Sequence, residues 1–528
     1  MLNESTLYRE LTAHYLKCVN PNSPPTPFEA EKELLDLFYA AIETENKSRP
    51  NGAKIKYPKS LPNSVIADVI KALHPVCRVA FSSVDPHINN NLCIYMAEGE
   101  KRGTYARDEE FIKSLIKSYN YNASSHDKSE VLSILSSSAP IKEPCREPDL
   151  IAVNNGVFNY KTKILKDFDP SFVFLSKSPV NYNPKAADVS ILNDDGTLWS
   201  VNGWMNSLSD DSTVVSLLWE IIGSVLRNNV RWNKCIMLYG ANGCGGKSTI
   251  MQVMRSLCGK NSVATVPFAS FGKDFMLEQV LHCKAILTDE VPNRQFLQTP
   301  DTFKTLLTGD PVELTRKFKV NITAELNIVI VMALNALVTF ADKSESLTRR
   351  LLFVPMTKCF TGHENKRIKS EYLHRDDVLE YFLYRVLHSN YYSFSEPEPC
   401  RALLELFKEN NNTIREYLNT VLPLWKNRLA PYSLLYDLYR AWLKKNCPST
   451  VAIKSSLFND EVRDIISEYP DWDAPDHPIP TRQNLSIGEP LIVDYNLIDW
   501  QSSEMGSSRY HIKINSSSYR GIIRCTTP

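Results

Sequence analysis

Residues 235–249 read Cys-Ile-Met-Leu-Tyr-Gly-Ala-Asn-Gly-Cys-Gly-Gly-Lys-Ser-Thr: an apolar strand, a glycine-rich turn and the start of a helix. From Ala241 the stretch fits the phosphate-loop spacing, with alanine at the first position, four residues, then Gly246, Lys247 and Ser248. Gly240 stands one place too early for a glycine-first match. The residue types suit the chemistry, because positions with little side chain let backbone N–H groups wrap phosphates. Gly240, Ala241, Asn242, Gly243, Cys244, Gly245, Gly246, Lys247, Ser248 and Thr249 are therefore the expected ATP cradle. In it Lys247 reaches the β and γ oxygens, and Ser248 offers its hydroxyl to Mg²⁺. The flanks agree: residues 236–239 are an apolar run, and Ile250, Val253, Met254 and Leu257 recur at helical spacing after the loop.

Moving outward, residues 284–290 form an apolar strand that ends in two acids, Asp289 and Glu290. After a phosphate loop, such a pair holds the Mg²⁺ hydration shell through Asp289 and polarises the attacking water through Glu290. Next come Lys304, a Gly309-Asp310 turn and Arg316-Lys317-Phe318-Lys319, read as a hairpin with strands over 312–319 and 320–325. Two readings of this hairpin stand, a nucleic-acid contact and a sheet edge protected by lysines. Phe318 divides in the same way, between stacking on a base and packing beneath the hairpin. Residues 328–333 are a continuous buried-strand pattern delivering Asn335, an amide suited to orient water or the γ-phosphate. Arg349-Arg350 precedes a strand over 351–355, and is either ordinary surface charge or a finger for a neighbour's nucleotide.

The chain has 528 residues, 43% of them hydrophobic and 23% charged, enough for two to four domains with sizeable cores. Lys plus Arg and Asp plus Glu both total 60, so bulk charge argues for no partner and a nucleic-acid contact must rest on local patches. Twelve cysteines without a CxxC pair or zinc spacing suggest reduced, mostly buried thiols in a cytosolic protein. No signal core or membrane-length apolar run is present, so no membrane attachment is expected.

Residues 1–85 read as a small, mostly helical domain, with a basic loop at Arg49, Lys54, Lys56 and Lys59 that suits either phosphates or solvent. Residues 86–200 read as an α+β module, with a helix over 108–119 and an Asn154-Asn155-Gly156 turn. A helix over 199–229 leads into the core, assigned to 201–370. A helical connection follows over 371–430. Residues 431–528 read as helices over 432–446 and 455–469, then strands over 489–500 and 507–514, a winged-helix pattern. Lys444, Lys445, Lys454 and Arg463 are its candidate phosphate contacts, and docking to protein suits the pattern as well.

Taken in order, Gly-Ala-Asn-Gly-Cys-Gly-Gly-Lys-Ser-Thr, Leu-Thr-Asp-Glu, Leu-Leu-Thr-Gly-Asp with Arg-Lys-Phe-Lys, Ala-Leu-Asn and Arg-Arg-Leu resemble superfamily 3 replicative helicases. The chain is most similar to the phage and plasmid primase/helicase family, related to satellite-phage and poxvirus primase-helicases. The resemblance extends upstream through Ala152-Val153-Asn154-Asn155-Gly156-Val157-Phe158 and Val180-Asn181-Tyr182-Asn183-Pro184-Lys185-Ala186, covering about residues 90–400. It implies an α/β P-loop ATPase core of the AAA+ class, a ring that is usually a hexamer, and movement 3′ to 5′ on single-stranded DNA at forks. Carried onto this chain, Lys247 and Ser248 become Walker A, Asp289 and Glu290 Walker B, Asn335 sensor 1 and Arg350 the finger in trans, with Arg349 as its fallback. Lys317 and Lys319 fall at the family's DNA-tracking loop, supported by Arg316 and Lys304. Ala241 replaces the usual first glycine, which that position tolerates. Only about 85 residues precede the module, without an acidic polymerase motif, so primer synthesis is not expected and a separate primase or polymerase becomes an expected partner. The implied setting is the cytoplasm of a bacterial or phage-infected cell. An origin-binding initiator, whose ATPase drives assembly and local melting, is the alternative. A protein-remodelling AAA+ machine fits the basic hairpin less well.

Overall fold

Five parallel strands run through the centre of the molecule: β1 (Cys235–Tyr239), β2 (Val263–Ala264), β3 (Ala285–Val291), β4 (Val329–Leu334) and β5 (Leu351–Pro355). They lie in the order β2-β3-β4-β1-β5. This computed structural model describes residues 3–20, 23–80, 91–241, 244–273, 275–291, 296–297, 300–317, 321–340, 345–362, 365–410, 412–448, 451–502 and 509–525.

Apart from Thr288, Asp289 and Glu290 near the carboxyl end of β3, the strands are almost wholly apolar because both faces of the sheet are covered, as parallel sheets require. Ile236, Leu238, Leu287, Val331 and Val354 face one cluster with Ile250, Val253 and Leu257 of the helix α1 (Lys247–Cys258). Helices Ser212–Ser224 and Asp376–Leu387 close that side. Met237, Ile286, Ile330, Met332 and Phe353 face the other cluster, with Phe268, Phe271, Phe303 and Phe407. Each fully buried aliphatic chain contributes about 1.5–3 kcal/mol. The carboxyl ends of β1, β3 and β4 are thereby held by a stiff base, on which side chains can be positioned closely.

A hairpin of Pro311–Leu314 and Ile322–Glu325 hangs from the second cluster by Val312, Leu314, Ile322 and Ala324. Its arms are shorter than the expected strands over 312–319 and 320–325, since pairing ends at Leu314 opposite Ile322. Residues 318–320 of the expected strands lie outside the described residues.

The upstream module is an antiparallel sheet of Leu150–Val153, Gly156–Asn159 and Ile164–Lys166, with Asn154-Asn155 at the tight turn. It docks on the core through specific contacts. Arg227, 2% exposed, lies over the Tyr160 ring at 3.4 Å from its centroid and donates to the Tyr391 carbonyl at 2.6 Å. Lys163 Nζ donates to the carbonyls of Leu387 and Ser389, both at 2.7 Å.

Several expectations need correction. The apolar cluster of the amino-terminal part runs from Leu7 to Ala139, across the boundary placed at 85. The stripes of Glu4–Cys18 and Pro27–Asn46 are covered in part by Glu109–Tyr119 and Ser125–Ser138, which join the same core. The helix expected over 199–229 is two, Val201–Ser207 and Ser212–Ser224, because Asp211 caps the second by accepting from Thr213 N–H at 2.8 Å.

At the other end the carboxy-terminal core begins at Ile414, on helix Thr413–Val421, ahead of the boundary at 431. Helix Tyr432–Asn446 is as expected, and Ser455–Ile466 ends three residues before the expected 469. The strand expected over 489–500 is helix Leu491–Asp494 and the turn Ile498–Trp500, because Pro490 lacks a ladder donor and suits a helix start. Of 507–514, residues 507–508 lie outside the described residues, and Ile512 forms only a single bridge to Gln501. The sheet there is Leu429–Pro431, Gly521–Arg524 and Trp472–Asp473, antiparallel in that order. Among the described residues no helix is long and apolar enough to cross a membrane.

Candidate functional site

The chain turns immediately after β1, in a crevice between the ends of β4 and β5. Gly240 N–H donates to Leu334 O at 3.0 Å, and a Cβ on Gly240 would lie 2.6 Å from Met356 O. Gly245 is also confined, its Cβ position being 3.0 Å from Met356 O and 3.1 Å from Lys358 O. Gly246 has a left-handed backbone, φ 82°, and precedes α1 as its cap. A side chain there would cost roughly 1–2 kcal/mol in backbone strain and meet Leu208 Cδ2 at 2.8 Å. These glycines allow a tight strand-to-helix turn that directs the amino end of α1, with its free N–H groups and positive dipole end, at the carboxyl ends of the strands. In open α/β sheets that is where ligands bind.

Lys247 is 6% exposed, and its Nζ donates to Gly240 O at 2.6 Å. Burial lowers its pKa below the ordinary lysine value. Ser248 is exposed and its Oγ accepts from Lys369 Nζ at 2.6 Å. Thr249 N–H bonds back to Gly246 O at 3.0 Å, Ala241 is exposed and Cys244 is half-buried. Asn242 and Gly243 lie outside the described residues.

Asp289 and Glu290 stand where the pairing of β3 with β4 shifts, between Thr288 and Val291. Such an irregularity re-aims side chains at the end of a strand. Asp289 receives a two-pronged grip from Arg255 of α1, Nη1 to Oδ1 at 3.0 Å and Nη2 to Oδ2 at 2.8 Å. Arg255 also donates to Leu287 O at 3.2 Å. Glu290 and Asn335 are exposed, and Asn335 directly follows Leu334, the residue whose carbonyl holds Gly240. The loop, the acid pair and the amide thus gather at one end of the sheet.

The remaining candidates are less uniform. Arg350 donates to the Ser346 carbonyl and, at 3.1 Å, to its hydroxyl, whereas Arg349 is exposed. The arginine expected to act on a neighbour is the one folded back, and its fallback is the one presented. Lys304 pairs with Asp301 at 2.9 Å. Arg316, with a side chain 11% exposed, turns to Glu278, Nε to Oε1 at 3.6 Å. Lys317 is exposed, while Phe318 and Lys319 lie outside the described residues. The three described DNA candidates, Lys304, Arg316 and Lys317, are therefore not one exposed patch.

Three neighbours of the site escaped the sequence reading. Arg255 left a signal: it follows buried Met251 by one helical turn, so its charge had to find a partner beside the core. Lys369 and Cys359, the latter bonded to Cys244, left none, because they reach the site only through the fold. A cavity lined by Arg146, Asn228, His282 and Lys284 lies at the amino ends of the strands, away from this crevice.

Residues 62–204 match the family described as D5 N terminal like, and residues 238–350 match a family of unknown function (DUF5906). The first match takes in all of residues 86–200, and the second takes in the loop over 240–249, the acid pair, Asn335 and both arginines. Among solved structures the chain is similar to the apo structure of the NrS-1 C terminal region (305-718), at 11% identity and a TM-score of 0.41, over 88% of this chain and 100% of that one. A second structure, the A form apo structure of NrS-1 C terminal region-CTR, shares 12% identity at a TM-score of 0.39, over 82% and 94% of the two chains. No curated protein matches the chain.

Proposed function

We propose that this protein is an ATP-hydrolysing DNA helicase with a P-loop AAA+ core of the superfamily 3 type, serving replication of a phage, plasmid or genomic island. The observation that carries the reading is the convergence at the carboxyl ends of β1, β3 and β4: a glycine turn whose added Cβ atoms would collide, Lys247 inside it, Asp289 and Glu290 beside it, and Asn335 next to Gly240. The residues suit ATP with Mg²⁺, since the amino end of α1 directs main-chain N–H groups at the place where phosphates would sit, Lys247 stands beside it on Gly240 O, and Ser248 and Asp289 would hold the metal. ATP supplies the phosphoryl group for hydrolysis. Lys247 leaves Gly240 O for phosphate oxygens, Ser248 and Asp289 hold the metal, Glu290 takes the proton of the attacking water, and Asn335 orients it. For this, Lys369 must release Ser248 and Arg255 must release Asp289.

In this reading the ring is a homo-oligomer, a hexamer by resemblance, with single-stranded DNA in its channel, 3′ to 5′ movement and a separate primase or polymerase as partner. The carboxy-terminal unit is proposed as a winged helix, a reading supported by helices Tyr432–Asn446 and Ser455–Ile466 and by a three-stranded sheet with Gly521–Arg524 in its middle. Asp460 and Asp464, exposed on Ser455–Ile466, favour protein over duplex as the partner of that helix.

The test pairs nucleotide affinity with steady-state ATPase, with and without forked DNA. Lys247→Ala should weaken ATP binding by roughly a hundredfold, the loss of a charge-assisted bond of about 3 kcal/mol. Glu290→Gln should bind normally and hydrolyse some 10²–10⁴ times more slowly. Normal turnover by Glu290→Gln would remove the catalytic assignment of this acid pair.

A further inference from the structure

Cys244 lies inside the cradle, just before the left-handed Gly246, and Cys359 lies just past the end of β5. They are 115 residues apart in sequence, yet the structure joins their sulfurs in a disulfide, with Cα atoms 5.1 Å apart. That separation falls in the range of about 4.4–6.8 Å that such a bridge spans. The cause of their meeting is the sheet itself. β1 and β5 are neighbours, with Tyr239 opposite Pro355, so the segments leaving them run side by side. The main chain adds to the contact: Phe360 N–H donates to Cys244 O at 3.3 Å, and Gly245 sits against the carbonyls of Met356 and Lys358. Among the described residues it is the one disulfide. This bond therefore belongs to no disulfide framework, and it joins a loop built to bind a ligand to an exposed residue that reagents can reach.

We propose that Cys244 and Cys359 form a reversible thiol–disulfide site that gates the nucleotide cradle: the bridge holds the loop down on residues 356–360 and excludes nucleotide, and the dithiol admits it. This rests on the nucleotide reading of the same loop. In the bridged form Lys247 is almost fully covered, with its Nζ on Gly240 O, so the ammonium that would meet phosphate is turned to the main chain. Opening the cradle means moving the loop that carries Cys244 relative to β5, and a covalent tie to Cys359 opposes that movement.

The oxidant is a small-molecule disulfide, RSSR. The exposed Cys359, as thiolate, attacks one sulfur of RSSR and releases RS⁻; Cys244, as thiolate, then attacks the Cys359 sulfur of the mixed disulfide and releases a second RS⁻. Two cysteine thiols lose two electrons and two protons, RSSR gains both, and two RSH leave. A dithiol reductant runs the exchange backward.

The experiment uses the full chain, oxidised glutathione, dithiothreitol and a fluorescent ATP analogue. After oxidation the wild type should carry a linked peptide pair containing Cys244 and Cys359 and bind the analogue at least tenfold more weakly than after reduction. Cys359→Ser, a small change at an exposed position outside the cradle, should bind like the reduced wild type in both conditions. Equal affinity of the oxidised and reduced wild type, with the link confirmed by mass, would overturn the gate while leaving the nucleotide site intact. Free Cys244 and Cys359 after oxidation would overturn it as well, as would a Cys359→Ser variant that loses affinity on oxidation as the wild type does. Should the reduced wild type bind no better than Lys247→Ala, the nucleotide reading falls first and the gate with it, a result distinct from the others.

Discussion

Around the cradle the key cation is held by a neutral partner, and beside the hairpin the cations are held by charged ones. Lys247 rests on the carbonyl of Gly240, whereas Lys304 rests on Asp301 and Arg316 turns to Glu278. The difference governs what each can do next. An ammonium that exchanges a carbonyl dipole for a phosphate gains a full opposite charge, while one that leaves a carboxylate for a phosphate only trades one anion for another. Lys247 is thus poised for an incoming anion, and Lys304 and Arg316 are already spent on their own chain. Of the described DNA candidates on that side, Lys317 is the exposed one.

Adjacent arginines offer the sharpest test of this contrast. Arg350 spends donors on the Ser346 carbonyl and hydroxyl, and Arg349 is exposed. If exposure decides which one reaches a neighbour's nucleotide, Arg349→Ala should lower ATP turnover by about 10³ in assembled rings, with Arg350→Ala costing less. Mixing Arg349→Ala with Lys247→Ala subunits should recover part of the activity, because intact sites and intact fingers then meet. A larger loss from Arg350→Ala, with rescue, would restore the order expected from the sequence and break the comparison.

The second test is intermediate in size. Arg255 is the charged partner inside the cradle, and it should behave like the hairpin cations, as structure and not as ligand. Arg255→Ala leaves Asp289 without its two-pronged partner and should cost about 1–3 kcal/mol of stability, read by denaturant melts. The same variant should reach half-maximal ATPase at lower Mg²⁺, since Asp289 no longer has to be freed from the guanidinium. An unchanged Mg²⁺ titration would mean that Asp289 does not hold the metal.

The smallest effects are expected at the hairpin. Lys317→Ala should flatten the salt dependence of single-strand binding by about one unit or less of log–log slope, equally for all sequences. Arg316→Ala should leave that slope alone and cost about 1 kcal/mol or less in stability through the lost Glu278 pair. Equal slopes for both variants and the wild type would leave the hairpin a protected sheet edge.

Much of this molecule is local in origin, and so was legible in its residues. The strand at β1, the turn after it and the start of α1 follow from apolar run, glycines and helical spacing, each acting over a few residues. The acids near the carboxyl end of β3 and the amide after β4 were legible for the same reason, since a buried strand delivers what stands at its end. The α/β core was expected from the resemblance of these motifs, and the parallel order of its strands came from the fold.

The tertiary structure decided the partners. Which arginine is presented, that Arg316 turns inward to Glu278, that Lys369 reaches Ser248 and that Cys244 meets Cys359 all depend on which strands lie side by side. So does the extent of the amino-terminal core, where Leu34 and Phe38 share one cluster with Ile112 and Leu135. Sequence carries the type and spacing of groups, and short-range sterics turn spacing into strands and helices. Pairing between distant groups is set by the packing that minimises exposed apolar surface over the whole chain, so a charge or thiol finds its partner only after the sheet has brought them together.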